Sequence, residues 1–400
     1  MPGAPQELLL YEAQTEGHHA SWLRYMTEDL LGAGWRLTLA LDQRPNAKAR
    51  LAEQMADLLA QARVLAARNE QGWVYGKGGV ETVAFCQQQA GARRVFLPCL
   101  DEVASNCWRR AAFGLMPPAS LRGQFGGIYF RPRFLASSSL APNPLLKRVG
   151  FWRLMRGGWL RQVVLLDEYL QADLRARHPG APIYFIPDTV PAPRKVDRAL
   201  ARERLGLPPL ACVFLFYGGA YRRKRLDLAV AAMAGLPANS PAFLLCLGRQ
   251  PDDPAPARGL GRLCAAGRAH SINRHVSTEE EELGFAACDF VLLPYQAHFG
   301  SSGVLTRAAA GGRPVVASDE QLIGRRVREH GLGLMFKSGS APALRSCLEQ
   351  AAVMGEEDRA RLSRAALRYA AGCTRAAFRA ALLQAVEASG PEPPGRTGPA

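Results

Sequence analysis

The sequence predicts an α/β protein made of two doubly wound, Rossmann-like units, and three observations carry that expectation. The chain has 400 residues, more than one ordinary hydrophobic core holds. Residues 288–336 alternate short apolar runs with helical stretches, at the spacing of βαβ units in a parallel sheet. The N-terminal stretch opens with the same order of strand, loop, helix and strand.

Residues 7–12 are expected as the first strand and 13–19 as a loop. A helix over 21–32 carries Trp22, Leu23, Met26, Leu30 and Leu31 on its apolar face. Strands are expected at 35–41, 73–75, 94–98 and 162–166. Asp167 and Glu168 open a helix to about residue 178. A strand over 183–186 runs into the proline-rich stretch 187–193, which has the composition of a linker. A short helix at 201–205 precedes strands at 213–217 and 244–247. Residues 251–261, with their Pro, Asp and Gly, are expected as a loop. A helix at 279–287 leads to a strand at 290–295 and a polar loop at 296–300. Ser301, Ser302 and Gly303 open a helix that closes at Gly311 and Gly312. A strand at 314–318, a helix from about 322 and a strand at 332–336 follow. Helices at 341–354, 358–371 and 376–388 end the ordered chain, and 389–400 is expected to be disordered.

Composition narrows the function. Hydrophobic residues are 48% and charged residues 21%, the balance of a soluble globular protein. The first dozen residues lack the basic start and long apolar run of a signal peptide. No run approaches the ~18 apolar residues of a membrane span. The nine cysteines are scattered without a CxxC pair, so buried thiols in a reducing cytoplasm are expected rather than disulfides or metal ligands. The seven histidines show no ligand spacing, and no metal is expected. The net charge of +15 is concentrated: residues 103–166 hold ten cations, nine aromatic residues and no Asp or Glu. Such a stretch suits an anionic partner, whether a lipid surface, a pyrophosphate-linked acceptor or a polyanion. No nucleic-acid-binding motif accompanies it.

Two places suit an anionic ligand. The helix opened by Ser301, Ser302 and Gly303 presents free N–H groups and a positive dipole end at the C-terminal edge of a sheet. Gly218 and Gly219 follow a strand and are followed by Arg222, Arg223, Lys224 and Arg225. The glycines let the backbone approach a ligand, and the cations can neutralise a diphosphate.

The ordered set is a strand ending in Pro294, an aromatic-Gly loop, an Ala/Gly-rich helix, the Pro-Val-Val-Ala-Ser strand and the Gly-Leu-Gly strand. It resembles the donor-binding half of GT-B glycosyltransferases, specifically glycosyltransferase family 4, the glycosyl transferases group 1. The resemblance implies two Rossmann-like domains facing across a cleft. Residues 1–190 would be the acceptor side, 191–373 the nucleotide-sugar donor domain, and 374–388 a helix crossing back to the first domain. It implies a retaining transfer of a hexose from a nucleotide diphosphate sugar to a hydroxyl, without a further cofactor. The acceptor would be a glycan or a lipid-linked intermediate. Lys224 falls on the family's phosphate-binding lysine, with Gly17, Gly218, Gly219, Ser301, Ser302 and Gly303 beside the donor. The family's second cation falls on Gly219, so Arg222 or Arg223 is expected to replace it. Asp188 stands where the family has asparagine. Two family glutamates are missing. Arg307 occupies the position of the second, where it would contact phosphate or form an internal salt bridge. Asp101 or Glu102 and His298 are the candidates for contact with the transferred sugar. The alternative is a GT-B-fold binding protein that has lost catalysis. The expected location is the cytoplasm, with peripheral docking on anionic membrane through Arg153, Arg156, Arg161, Trp152 and Trp159. The competing use of that surface is a groove for a phosphorylated acceptor in solution.

Overall fold

A computed structural model of the chain describes residues 6–16, 19–76, 78–137, 139–219, 221–250 and 254–388. The tail at 389–400 and Gly17 lie outside the described residues. The chain divides into two compact units, Met1–Ile186 with Phe378–Ala400, and Pro187–Ala377.

The first unit begins with β1 (Glu7–Glu12), α1 (His19–Leu31), β2 (Arg36–Asp42), α2 (Pro45–Leu59) and β3 (Arg63–Arg68). It continues through α3 (Val80–Ala90), β4 (Arg94–Leu97), α4 (Asp101–Ala112), β5 (Phe125–Tyr129), α5 (Arg133–Ala136) and α6 (Pro142–Arg156). It closes with β6 (Leu160–Leu165), α7 (Glu168–Arg177) and β7 (Ile183–Phe185). Its sheet has the order β3-β2-β1-β4-β5-β6-β7, with the pairs parallel. Helices cover both faces, so the strands are apolar on both sides. Along β1, Leu9 and Tyr11 enter one core cluster while Leu8 and Leu10 enter the other.

The second unit holds α8 (Arg198–Arg204), β8 (Cys212–Tyr217), α9 (Leu226–Ala234), β9 (Ala242–Leu247), α10 (Pro254–Ala265) and β10 (Ala269–Ile272). Then come α11 (Thr278–Ala287), β11 (Phe290–Leu293), α12 (Gly303–Ala310), β12 (Val315–Ser318), α13 (Gln321–His330) and β13 (Gly333–Phe336). Then follow α14 (Ala341–Ala352) and α15 (Glu356–Ala371), and last α16 (Arg375–Glu387), most of which belongs to the first unit. The order of this parallel sheet is β10-β9-β8-β11-β12-β13. Along β8, Phe214 and Phe216 face one cluster, Val213 and Leu215 the other.

The chain returns to the first unit through α16. Phe378, Leu382, Ala385 and Val386 enter the cluster that holds Trp22, Leu23 and Met26. The Phe378 and Trp22 rings meet edge to face at 5.2 Å. Arg94 and Arg161 donate to the carbonyls of Val386 and Ala388, at 3.3 and 2.7 Å, and so satisfy the helix C-terminus.

Two expected elements differ. Residues 73–75 form no strand: Gly72, Gly76, Gly78 and Gly79 all have positive φ, and Trp73 is exposed. The strand lies earlier, in β3, whose flanking arginines masked it. Residues 251–261 were expected as a loop, yet 254 onward is α10. Proline is tolerated in a first helical turn, and Pro256, Leu260 and Leu263 supply a buried helical stripe.

Candidate functional site

Strand order reverses between β8 and β11, so the crevice at the C-terminal ends of these strands is where a doubly wound sheet takes a ligand. The chain leaves β8 at Tyr217 and turns at Gly218, whose φ is +85°. A Cβ there would stand 2.8 Å from Lys224 Nζ, so only glycine lets the ammonium lie against the backbone. Gly248, at the end of β9, presses on the same turn: its Cβ would be 2.6 Å from the Gly218 carbonyl carbon.

Lys224 closes a single 3₁₀ turn, and Arg225 exits it in the left-handed region. Lys224 Nζ donates to the Tyr217 carbonyl at 3.0 Å and lies 5.6 Å from the Tyr295 ring. Burial, and then the Arg223 charge, push its pKa down to about 8. Arg223 is exposed, with its Nε 3.3 Å from His298 Nδ1 and its guanidinium over the Tyr221 ring. Arg222 is exposed on the same turn. Arg225 pairs with Asp227 at 2.8 Å and reaches Gln296. Gln296 N donates to the Arg223 carbonyl at 2.8 Å, tying the β11 loop to the lysine turn.

On the β11 side, His298 Nε2 lies 3.2 Å from the Ser301 carbonyl oxygen. Ser301 Oγ donates to Asp188 at 2.9 Å and accepts from Arg326 at 2.8 Å. Burial raises the Asp188 pKa, opposed by Ser301 and Arg326. Ser302 caps α12 by accepting from Leu305 N at 3.3 Å. The N–H groups of Gly303 and Val304 have no acceptor among the described residues. A buried ammonium and a free helix start therefore sit at adjoining strand ends, a pairing suited to an anion.

Lys224, Gly218, Gly219, Arg222, Ser301, Ser302, Gly303 and His298 thus gather around these adjoining strand ends. Arg307 is engaged differently. Its Nε is 2.7 Å from Glu281 Oε1 and its guanidinium lies over the Phe285 ring. Of the two expected roles, the internal salt bridge is the one present. In the first unit, Asp101 is taken up by backbone: it accepts from Phe130 N at 2.7 Å and Arg131 N at 3.1 Å. Both are short donors that hold the carboxylate in the turn after β5. Its neighbour Glu102 is pushed up to about 8 by burial and by Glu12. Glu12 accepts from Gln14 N at 2.9 Å and lies 3.2 Å from His19 Nδ1. Sequence reasoning missed Glu12 and His19, because their meeting depends on the turn between β1 and α1.

The basic stretch is less aromatic on its surface than its composition suggests. Trp108, Phe125, Tyr129, Phe134 and Phe151 are core residues. Trp152 and Trp159 are partly buried; Trp152 rests on His178 at 3.8 Å and Trp159 lies under Arg122. Arg161 is bound to the end of α16. Arg153 and Arg156 stand exposed. The cysteines are free. Among the described residues no three His, Cys, Asp or Glu side chains gather to hold a metal, and no helix is long and apolar enough to cross a membrane.

The family model described as glycosyl transferases group 1 matches residues 211–352. A search of curated proteins finds no match. Among solved structures, a glycosyltransferase from Rickettsia africae ESF-5 aligns with a TM-score of 0.67 at 11% identity, covering 96% of this chain and 98% of its own. Anabaena HepE in complex with UDP and glucose aligns with a TM-score of 0.65 at 15% identity, over 96% and 99%. WaaG, a glycosyltransferase involved in lipopolysaccharide biosynthesis, aligns with a TM-score of 0.63 at 16% identity, over 95% and 98%. At these identities the structural likeness speaks for the fold, and the family match speaks for the second unit. The chain has the GT-B fold of these glycosyltransferases, and residues 211–352 of its second unit match the glycosyl transferases group 1 family.

Proposed function

We propose that this chain is a retaining enzyme that moves a hexose from a nucleotide diphosphate sugar to a hydroxyl acceptor. The carrying observation is Lys224, buried against Gly218 beside the start of α12. When the sugar–phosphate bond breaks, negative charge grows on the departing diphosphate. A preplaced ammonium and aligned N–H groups stabilise that charge without reorganising, which is where a transferase needs its stabilisation. In a retaining transfer the acceptor hydroxyl attacks on the face the diphosphate leaves, so the diphosphate itself can take the hydroxyl proton. The site then has little proton chemistry left to do. His298, beside Ser301 and Arg223, is the side chain we assign to the transferred sugar. No metal or further cofactor enters this reading. HepE, crystallised with UDP and glucose, supports a nucleotide-sugar donor.

The acceptor we propose is a lipid-linked or envelope glycan, met at the cytoplasmic face of an anionic membrane. The uninterrupted cations of 103–166 support this. A second reading, a binding protein without catalysis, is favoured by one observation: Arg307 stands in place of a carboxylate and is held by Glu281. Thermal-shift titration with UDP, GDP and ADP, then incubation with the matching sugar nucleotides, decides between them. A shift that Lys224→Ala removes, with sugar nucleotide consumed, is expected for the enzyme. Binding without turnover in the presence of acceptor extracts supports the second reading, and no binding at all sinks both.

A further inference from the structure

α11 begins with four consecutive glutamates, and each meets a different arginine. Glu279 pairs with Arg204 at 2.8 Å, Glu280 with Arg274 at 2.5 Å and Glu282 with Arg194 at 3.5 Å. Glu280 also closes the capping box with Ser277. Glu281 alone of the four turns to the sheet's C-terminal edge. It pairs with Arg307 of α12, and its charge acts on the Tyr217 phenol at the end of β8, whose pKa burial and then Glu281 raise. Tyr217 is also the residue whose carbonyl holds Lys224. Three elements that flank the strand reversal, β8, α11 and α12, therefore converge on one carboxylate. It keeps about a fifth of its side-chain surface open, at 20%.

The spacing along α12 matters. Arg307 lies five residues after the Ser302 cap, on the order of 7 Å along the axis. A ligand with its diphosphate on Lys224 and the helix start has its ribose to place at that remove. A ribose diol offers two O–H donors, and an ionised carboxylate is the side chain that only accepts. In doubly wound sheets an acidic side chain near the crevice meets ribose hydroxyls for this reason. Arg307 cannot accept, but its 2.7 Å ion pair fixes the carboxylate's rotamer and occupies one oxygen. The remaining oxygen capacity is left for a ligand.

We propose that Glu281 receives the ribose hydroxyls of the nucleotide, with Arg307 as its positioning residue. This rests on the nucleotide-sugar reading of the Lys224 site. It places the ribose contact on α11.

The test compares a ribonucleoside diphosphate with its 2′,3′-dideoxy counterpart by calorimetry on the full chain. The base is whichever of UDP, GDP and ADP binds tightest, and inorganic pyrophosphate is the control for the anion subsite. Wild type should prefer the ribonucleotide by about tenfold or more, the scale of hydrogen bonds to a charged group. In Glu281→Gln that preference should fall to within about twofold, while pyrophosphate binds as before. Should Glu281→Gln fail to fold, Glu281→Asp decides by the same ratio, since it keeps the charge for Arg307 but draws the oxygens back. Full ribose discrimination in a folded Glu281 variant overturns the inference and leaves the donor reading intact. Absence of binding by every nucleotide and by pyrophosphate in wild type overturns both.

Discussion

At the scale of single residues, Lys224 shows the tension between stability and use. Its ammonium is buried with one carbonyl and one aromatic face for company, and its pKa falls from 10.5 to about 8. A base with a lowered folded pKa is charged at a cost, so this group lowers stability fully below pH 8. The deficit is recovered as pH rises from about 8 to 10.5, where the unfolded chain still binds the proton and the folded one does not. The displacement is worth on the order of 3 kcal/mol at neutral pH. Lys224→Met should therefore leave the melting temperature of the ligand-free protein equal or higher at pH 7, and abolish stabilisation by nucleoside diphosphates. A melting temperature lowered by many degrees would mean that the lysine is structural. In wild type, diphosphate affinity should weaken as pH rises through about 8, seen by calorimetry between pH 7 and 9.5. Asp188 is a second buried charge, disfavoured by burial and supported by its neighbours. Its carboxylate is held between Ser301 and the buried Arg326, on the stretch whose prolines suggested a free linker. Asp188→Ala should cost about 1–3 kcal/mol in urea unfolding, since it removes the buried acceptor of the Ser301 hydroxyl and a charge that Arg326 feels. A loss under 1 kcal/mol would show that Arg326 is satisfied by its other neighbours.

At the scale of elements, the packing of α4 on α6 turns on one glycine. A Cβ at Gly150 would meet the Trp108 carbonyl oxygen at 1.7 Å, so the two backbones touch. Helix propensity alone favours Gly→Ala by about 1 kcal/mol. Here the contact reverses the sign: Gly150→Ala must push the helices apart and should destabilise by about 1–3 kcal/mol net. Equilibrium denaturation checks it, and a stabilised variant would mean that the helices separate freely. Gly150 also marks where sequence reading stopped. The second unit was legible from residue 288 to 336 because its strands are short, doubly apolar and bounded by Gly and Pro. The basic stretch was not, because α4, β5 and α6 bury glycines and aromatics while their arginines hide the period: Gly126, Gly127 and Gly150 are all pressed against backbone. The site divides in the same way. Gly218, Lys224 and the Ser-Ser-Gly helix start follow each other along the chain and can be read from it. Glu281 with Arg307, and Glu12 with Glu102, are set by which strands adjoin, and local sequence carries no sign of that.

At the scale of the whole molecule, the +15 charge bears on the proposed docking to an anionic membrane. Burial removes most of the aromatic residues of 103–166 from any surface role, yet several apolar side chains of the stretch stay exposed. Phe113, Leu115, Leu140, Leu145 and Val149 are exposed, at 69%, 57%, 78%, 40% and 48%. They lie on or beside α4 and α6, among exposed Arg109, Arg133, Arg153 and Arg156. Burial, and then the like charges of Arg109 and Arg133, hold Lys147 below its ordinary pKa. Apolar side chains among exposed cations suit the boundary of an anionic leaflet, where each engaged cation is worth about 1 kcal/mol and the gain is screened by salt. The expected behaviour is sedimentation with phosphatidylglycerol vesicles at low salt, release at high salt, and no binding to neutral phosphatidylcholine. Arg153→Glu with Arg156→Glu should weaken vesicle affinity by about tenfold or more. Val149→Asp should weaken it too, because insertion of an apolar face fails when that face carries a charge. A soluble polyanion such as heparin separates the two uses of the surface. It should feel the arginine reversals and be nearly indifferent to Val149→Asp. If vesicles respond like heparin, with the arginines mattering and Val149 not, the surface holds a phosphorylated acceptor from solution. The membrane reading then falls while sugar transfer stands.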